Sequence, residues 1–501
     1  MLISSDLVNH FSQDRNLEEL FGSLSEKLPV EALLVMHRDL VELLQISSIP
    51  DVNWRDLEKA KALFERGKNK KLYQEFLTYL KATPKKKERE GVVVKVSHEE
   101  DSQKRSVQDF VHYFNARYKA LSSLLLGRPE LRSATTVSRI LQKRQRETVA
   151  LIGLVLEKSV TKNGNILLTL EDPTGTLKVL VHKNKPDTFQ KARSIVLDEV
   201  VGAVGVTGEN IMFANSVVWP DTMQKEPKKC PDEVYALFLS DLHVGSNNFL
   251  PEAFSKFTTW LQGNAGTDKQ RQIATKVKYL FIAGDLVDGV GIYPNQDKEL
   301  IVQDIYGQYR ACAELLAEIP KEITVVVCPG NHDAMRIAEP QPALSKDFAR
   351  PLYDLPNLLF VSNPGVVTIH RTPEFSGFDV LVYHGHSFDH FIANVDELRE
   401  QGGYDRADLV MKFLLQRRHL APTHTSTLYV PTREKDPLVI ASVPDFFVTG
   451  HIHKSSVSHH KHTTLISGSC WQSKTAFQEK VGHHPEPGRV PCVNLHTREV
   501  K

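Results

Sequence analysis

Five short motifs in the C-terminal half concentrate side chains that can hold metal ions. They are Asp241-Leu242-His243, Gly284-Asp285-Leu286-Val287-Asp288, Gly330-Asn331-His332-Asp333, His384-Gly385-His386 and Gly450-His451-Ile452-His453. Carboxylate, imidazole and amide donors in this number suffice for two neighbouring divalent cations. A pair of cations about 3.5–4 Å apart is a recurrent device for cutting phosphate esters. Mixed oxygen and nitrogen ligation suits Mn, Fe, Zn or similar ions, and the residue types do not choose among them. No cysteine accompanies the cluster, which argues against a structural zinc site.

Side chains so far apart in sequence need rigid elements to bring them together. Apolar runs precede the motifs: Val234–Leu239, Phe281–Ala283, Ile323–Val327 and Phe446–Val448. Each reads as a buried parallel strand. Alternation along a strand end would send Asp241 and His243 to one side, and likewise His451 and His453. Gly284, Gly330, Gly385 and Gly450 stand where the chain must turn or approach an ion closely. Ligands at the carboxyl ends of several strands fit the usual site of an open α/β sheet.

The 501 residues carry 62 Lys and Arg against 61 Asp and Glu, so any nucleic-acid contact must come from a local patch. Five cysteines without a C-x-x-C pair point to a reducing, cytoplasmic setting. No signal peptide and no apolar run of membrane-spanning length is evident. Residues 1–82 show helical spacing, as in Leu17, Leu20, Phe21 and Leu24 and in Leu33, Leu34, His37 and Leu40. Residues 83–106 read as a flexible charged linker around a short Val92–Val96 run. A helical segment over 107–146, expected to pack on the module that follows, carries Phe110, Tyr113, Phe114, Tyr118 and Leu121 at helical spacing. Its Gln108, Val111 and Phe114 hint at a sliding-clamp peptide but lack the second aromatic.

Residues 147–222 read as three strands, a short helix and two strands, the order of an OB-fold. The pair Asn163-Gly164 marks the first hairpin turn. Few aromatics look exposed on this module. Lys143, Arg144, Arg146, Lys162, Lys178 and Lys183 are therefore its candidate contacts to a nucleic-acid backbone. Lys412, Arg417 and Arg418 on a later basic helix are further candidates for phosphates. His459, His460 and His462 read as surface residues.

The motif series over 234–495 resembles the calcineurin-like metallophosphoesterase superfamily. That resemblance implies that Asp285 bridges two ions, that Asp241, His243 and His453 hold one, and that Asn331, His384 and His451 hold the other. His332 then resembles the family's non-ligand histidine at the leaving oxygen, and His384 is preferred over His386 as ligand. Asp288 and Asp333 are expected to orient imidazoles from behind. An OB-fold directly before such a domain resembles the B-subunit family of replicative DNA polymerases, most closely its archaeal D-family branch. The segment from Asp109 to Tyr118 and the runs Leu239–Ser246 and Pro329–Asp333 carry this likeness.

The expected architecture is a four-layer α/β calcineurin-like phosphoesterase sandwich over 232–501, preceded by an all-β OB-fold and a small N-terminal helical domain. The resemblance implies a polymerase small subunit with 3′→5′ proofreading exonuclease activity that uses two divalent ions, Mn²⁺ foremost, with Fe, Zn, Ni and Mg compatible. Implied partners are the large catalytic subunit, single-stranded 3′ ends or primer–template DNA, and a sliding clamp through the holoenzyme, in a nucleoid-associated cytoplasmic setting. A non-catalytic scaffold and a double-strand-break repair nuclease are the alternatives.

Overall fold

The computed structural model describes residues 2–3, 35–36, 90–99, 104–480 and 482–501. The chain divides into two units, 1–88 and 89–501. In the first, Leu2–Ile3 pairs in parallel with Val35–Met36. That pairing falls inside the Leu33–Leu40 stretch expected to be helical, so backbone pairing overrides the periodicity there. The remaining helices expected within 1–82 lie outside the described residues.

The second unit is a mixed α/β structure with several sheets. Val93–Val96 (β1) opens it, inside the tract read as a linker. It pairs antiparallel with Gly365–Ile369 because Val92 is buried and the free edge of a sheet accepts its backbone. Next, the helix Val107–Leu126 (α1) buries Tyr113, Arg117, Leu121 and Leu125, a stripe at four-residue spacing. Leu121 and Leu125 pack on a five-stranded closed barrel, whereas Tyr113 packs on the domain that follows.

The barrel comprises Thr148–Val160 (β2), Ile166–Asp172 (β3), Gly175–Val181 (β4), Val200–Thr207 (β5) and Ile211–Val218 (β6). Three strands meander, β4 pairs in parallel with β6, and β5 closes the barrel on β2. Gly164 takes the positive φ of 78° that its hairpin turn requires.

Two facing sheets build the rest. One runs Leu358–Phe360, Thr324–Cys328, Val277–Ala283, Tyr235–Leu239 and Cys492–Asn494 in spatial order, parallel except for the last. The other runs Ser456–His460, Thr463–Ser467, Phe446–Thr449, Phe378–Val382, Gly365–Ile369 and β1. The period-two alternation of strands decides which layer each residue joins. Phe238, Phe281 and Val326 point between the sheets and meet Val380, Phe446 and Ile466. Leu237, Leu280 and Val325 point outward beneath the helices Pro251–Leu261 and Ile305–Ala317. Leu381, Phe447 and Leu465 do the same beneath Phe388–Asn394 and Ala407–Arg417. The order is helices, sheet, sheet, helices, and strands of both sheets end at one cleft.

Candidate metal centre

Each motif begins just past a strand end. Tyr235–Leu239 delivers Asp241 and His243; Val277–Ala283 delivers Asp285; Thr324–Cys328 delivers Asn331 and His332. From the other sheet, Phe378–Val382 delivers His384, and Phe446–Thr449 delivers His451 and His453. Strand alternation does not aim these side chains, contrary to the expectation. Asp241, His243, Asp285, His451 and His453 all have φ between 52° and 68°. This left-handed backbone is rare for non-glycine residues and costs energy, so the surrounding packing must impose it. Its consequence is visible at the fifth motif. His451 and His453 do not share a face: His453 joins His243 and Asp241, and His451 joins Asn331.

The distances define two adjoining groups. His453 Nε2 lies 3.1 Å from His243 Nε2 and 3.5 Å from Asp241 Oδ1. His384 Nε2 lies 2.9 Å from Asn331 Oδ1 and 3.3 Å from Asp285 Oδ2, and His451 Nδ1 lies 3.1 Å from the same Asn331 oxygen. Asp285 also stands 3.9 Å from His243 Nε2, so it is the carboxylate between the groups. Two glycines permit this density. A Cβ on Gly330 would collide with Asp285 Oδ1, and one on Gly450 would come within 2.6 Å of Asp241 Oδ2.

Supporting hydrogen bonds turn one ring nitrogen of several imidazoles away from the cluster. His384 Nδ1 donates to the Ala283 carbonyl at 2.8 Å, which leaves Nε2 facing Asp285 and Asn331. His243 Nδ1 meets Asp288 Oδ1 at 3.1 Å, and Gln296 and Gln472 in turn donate to Asp288. Asp333 acts differently from expectation. It orients no imidazole among the described residues, but accepts from the backbone N–H of Gly330 and Leu286 and from Tyr309. A carboxylate three residues along its own turn meets backbone amides before it can reach a ring. Burial and the neighbouring Asp285 charge push Asp333 up to about 7.

The carboxylates and imidazoles of the cluster set one another's charge. Burial would raise Asp285, but His384 and His332 outweigh it and hold the carboxyl well below its ordinary range. Burial would lower His384, yet Asp285 and Asp241 push it up to about 10. His332 borders the cluster, its ring centroid 4.7 Å from that of His243. Its backbone N–H donates to Asp285 Oδ1 at 2.8 Å and its Nδ1 meets the Asp288 carbonyl at 2.7 Å, with the ring on the cleft wall. Burial lowers its pKa. His386 is peripheral: its ring centroid is 5.6 Å from that of His451, and burial lowers it to about 4.

Residues 236–458 match the family model for the B subunits of DNA polymerases alpha and epsilon. The chain is 39% identical over 388 residues to the DNA polymerase II small subunit of Methanothermobacter thermautotrophicus, covering 77% of this chain and 78% of that one. It belongs to the DNA polymerase II small-subunit family, the small subunits of the archaeal D-family polymerase. The Archaeoglobus fulgidus member is 39% identical, with 77% and 75% covered. The Pyrococcus furiosus member is 38% identical, with 79% of this chain but only 63% of that longer relative covered.

All seven candidate ligands of this polymerase small-subunit family member lie inside the matched segment 236–458. The barrel candidates lie outside it. Arg144, Arg146, Lys162, Lys178 and Lys183 are exposed there, whereas Lys143 is half-buried and paired with Glu147 at 2.9 Å. Arg417 and Arg418 are not available to phosphates. Arg417 is buried against Glu199 at 2.7 Å, and Arg418 donates to the carbonyls of Ile440 and Ala441. Nor are His460 and His462 surface residues: both are buried, and His460 is bonded to Asp221 at 2.8 Å. Sequence reasoning did not place Asp389 at the cluster, yet its carboxylate meets His451 Nε2 at 2.8 Å. Gln478, 2.9 Å from His453 Nδ1, was missed as well. A carboxylate three residues beyond a histidine motif was the only available signal for the first, and none existed for the second.

Proposed function

We propose that this polymerase small subunit is a metal-dependent phosphodiesterase that removes nucleotides from DNA 3′ ends beside its large catalytic partner. The observation that carries this reading is the meeting of His243, His453, His384, Asn331, Asp241 and Asp285 in one buried cluster. The donor set fits two divalent ions. Buried carboxylates beside imidazole nitrogens aimed at one another are stabilised by positive charge. His384 supplies it as a cation here, and divalent ions would supply it in its place. Asp241, His243 and His453 would hold one ion, Asn331, His384 and His451 the other, with Asp285 shared. Bound there, such ions supply Lewis-acid charge to the phosphoryl oxygens of the substrate.

The protein's own residues do the rest. Asp288 keeps His243 Nδ1 occupied, so Nε2 points inward. His332 Nδ1–H is tied to the Asp288 carbonyl, which leaves its Nε2 facing the cleft. In the imidazolium form Nε2–H can donate to a phosphoryl oxygen or pass its proton to the departing 3′-oxygen, leaving the neutral ring. The four-layer body supports a calcineurin-like sandwich. The strand order β2-β3-β4-β6-β5, closed on β2, supports an OB-fold, whose exposed cations would track a DNA backbone.

The test incubates the protein with Mn²⁺ and a 5′-labelled, 3′-mismatched primer–template beside His332→Ala. A ladder of shortened primers that the variant loses is the expected result. Full-length primer throughout, with the large subunit present, would leave a scaffold role instead.

A further inference from the structure

The cleft does not end at the ligand cluster. Tyr404, Ile452 and His483 line it and also line an adjoining cavity of about 330 Å³. The Tyr404 and His483 ring centroids are 3.9 Å apart with planes inclined by 43°, so the pair forms the rim common to both spaces. Asp389 lines the same cleft as Tyr404. Its carboxylate meets Nε2 of the candidate ligand His451 at 2.8 Å. Tyr404 thus lines one cleft with the candidate ligands His243, Asp285, His451 and His453.

Beyond the rim, Ile392 and Ile452 supply an apolar wall. Lys454, next in sequence to His453, places an ammonium on the same lining and is steadied by Asp405 at 2.9 Å. Aromatic rings, an apolar wall and a cation next to a phosphate-cleaving cluster match the parts of a nucleotide. Bases stack on aromatic side chains without regard to sequence, and the backbone phosphates seek cations. A proofreading site needs such tolerance, because any of the four bases can be the mispaired one.

We propose that Tyr404 and His483 form the stacking platform for the base next to the scissile phosphate, with Lys454 facing the neighbouring phosphate. The inference rests on the phosphodiesterase reading above. Its test uses the full chain with its large subunit and two labelled oligonucleotides, one ending in a normal nucleotide and one in a tetrahydrofuran abasic residue. The unmodified protein should show a KM about tenfold higher for the abasic end. Tyr404→Leu and His483→Ala should erase the difference by raising KM for the normal end, with kcat changed less. Tyr404→Phe, which keeps the ring, should restore it.

Quenching of a terminal 2-aminopurine on binding, with chelator present, reads stacking without turnover. Equal KM for both ends with cleavage intact would overturn the platform and leave the phosphodiesterase standing. Absence of cleavage would overturn the phosphodiesterase. The fluorescence then decides the platform alone: quenching lost in Tyr404→Leu and His483→Ala supports it, and quenching unchanged in both overturns it.

Discussion

The Nε2 atoms of His243 and His453 face each other at 3.1 Å in the interior of the protein. Each ring has its other nitrogen engaged, by Asp288 and by Gln478 respectively. Asp288, acceptor-only when ionised, keeps the proton of His243 on Nδ1 and so exposes a lone pair at Nε2. Two strand ends from different sheets thus converge on one point. There the Nε2 proton that Gln478 enforces on neutral His453 faces the His243 lone pair and is the one a bound cation would displace.

A divalent ion at that point should stabilise the fold. With Mn²⁺ at a hundred times its Kd, the gain is about 2.7 kcal/mol, visible as a raised melting temperature that EDTA reverses. Asp288→Asn should weaken binding about 10–100-fold in isothermal titration, since the carboxylate orients His243 without contacting the ion. Unaltered affinity in that variant would remove Asp288 from the account.

His332 and Asp285 should separate cleanly. His332→Ala is expected to keep metal and DNA binding but to lose cleavage by about 10²–10⁴-fold, the usual scale of a lost proton-transfer group. Asp285→Ala should lose metal as well, because it stands between both groups. An active, metal-loaded Asp285→Ala protein would sink the ligand assignment.

Helix α1 is fastened by a buried ion pair. Arg117 Nε meets Asp436 Oδ2 at 2.7 Å with both side chains fully buried, and His419 Nε2 meets the same oxygen at 2.7 Å. Arg117→Ala should cost about 3–5 kcal/mol in urea unfolding, because it strands a buried carboxylate. A loss below about 1 kcal/mol, the scale of a solvent-exposed pair, would show that water reaches Asp436.

The same cluster should make stability pH-dependent. Ala421 N–H donates to His419 Nδ1 at 3.0 Å, so Nε2 carries the proton given to Asp436 and the ring is neutral. Burial, helped by Arg117, lowers His419 from its ordinary 6.5 to about 4. A folded-state pKa below the unfolded one gives stability that is present above pH 6.5 and lost as pH falls through about 4. At about 1.4 kcal/mol per pH unit, the urea midpoint should drop across that window, and less so in His419→Gln. A midpoint equally flat in both proteins would contradict the neutral assignment.

Much of the site could be read without coordinates. Three of the four apolar runs named before a motif match a strand to within one residue at each end, and Phe281–Ala283 is the last part of the strand Val277–Ala283, because burial on both faces leaves an uninterrupted hydrophobic signature. The five motifs meet because those strands end together, and a barrel with the expected strand order precedes them.

What sequence alone determined is the identity of the donors and the order of the strands that carry them, since both depend on residue type and local periodicity. Tertiary structure decided which imidazole faces which oxygen. Left-handed backbone at Asp241, His243, Asp285, His451 and His453 redirects side chains that alternation would have aimed otherwise, and only packing from both sheets can impose it. The same holds for partners remote in sequence. Arg417 looked like a phosphate contact until Glu199, far away along the chain, claimed it, and β1 looked like a linker until a sheet edge accepted it. Long-range pairing leaves no local pattern, so such choices become visible only when the chain is folded.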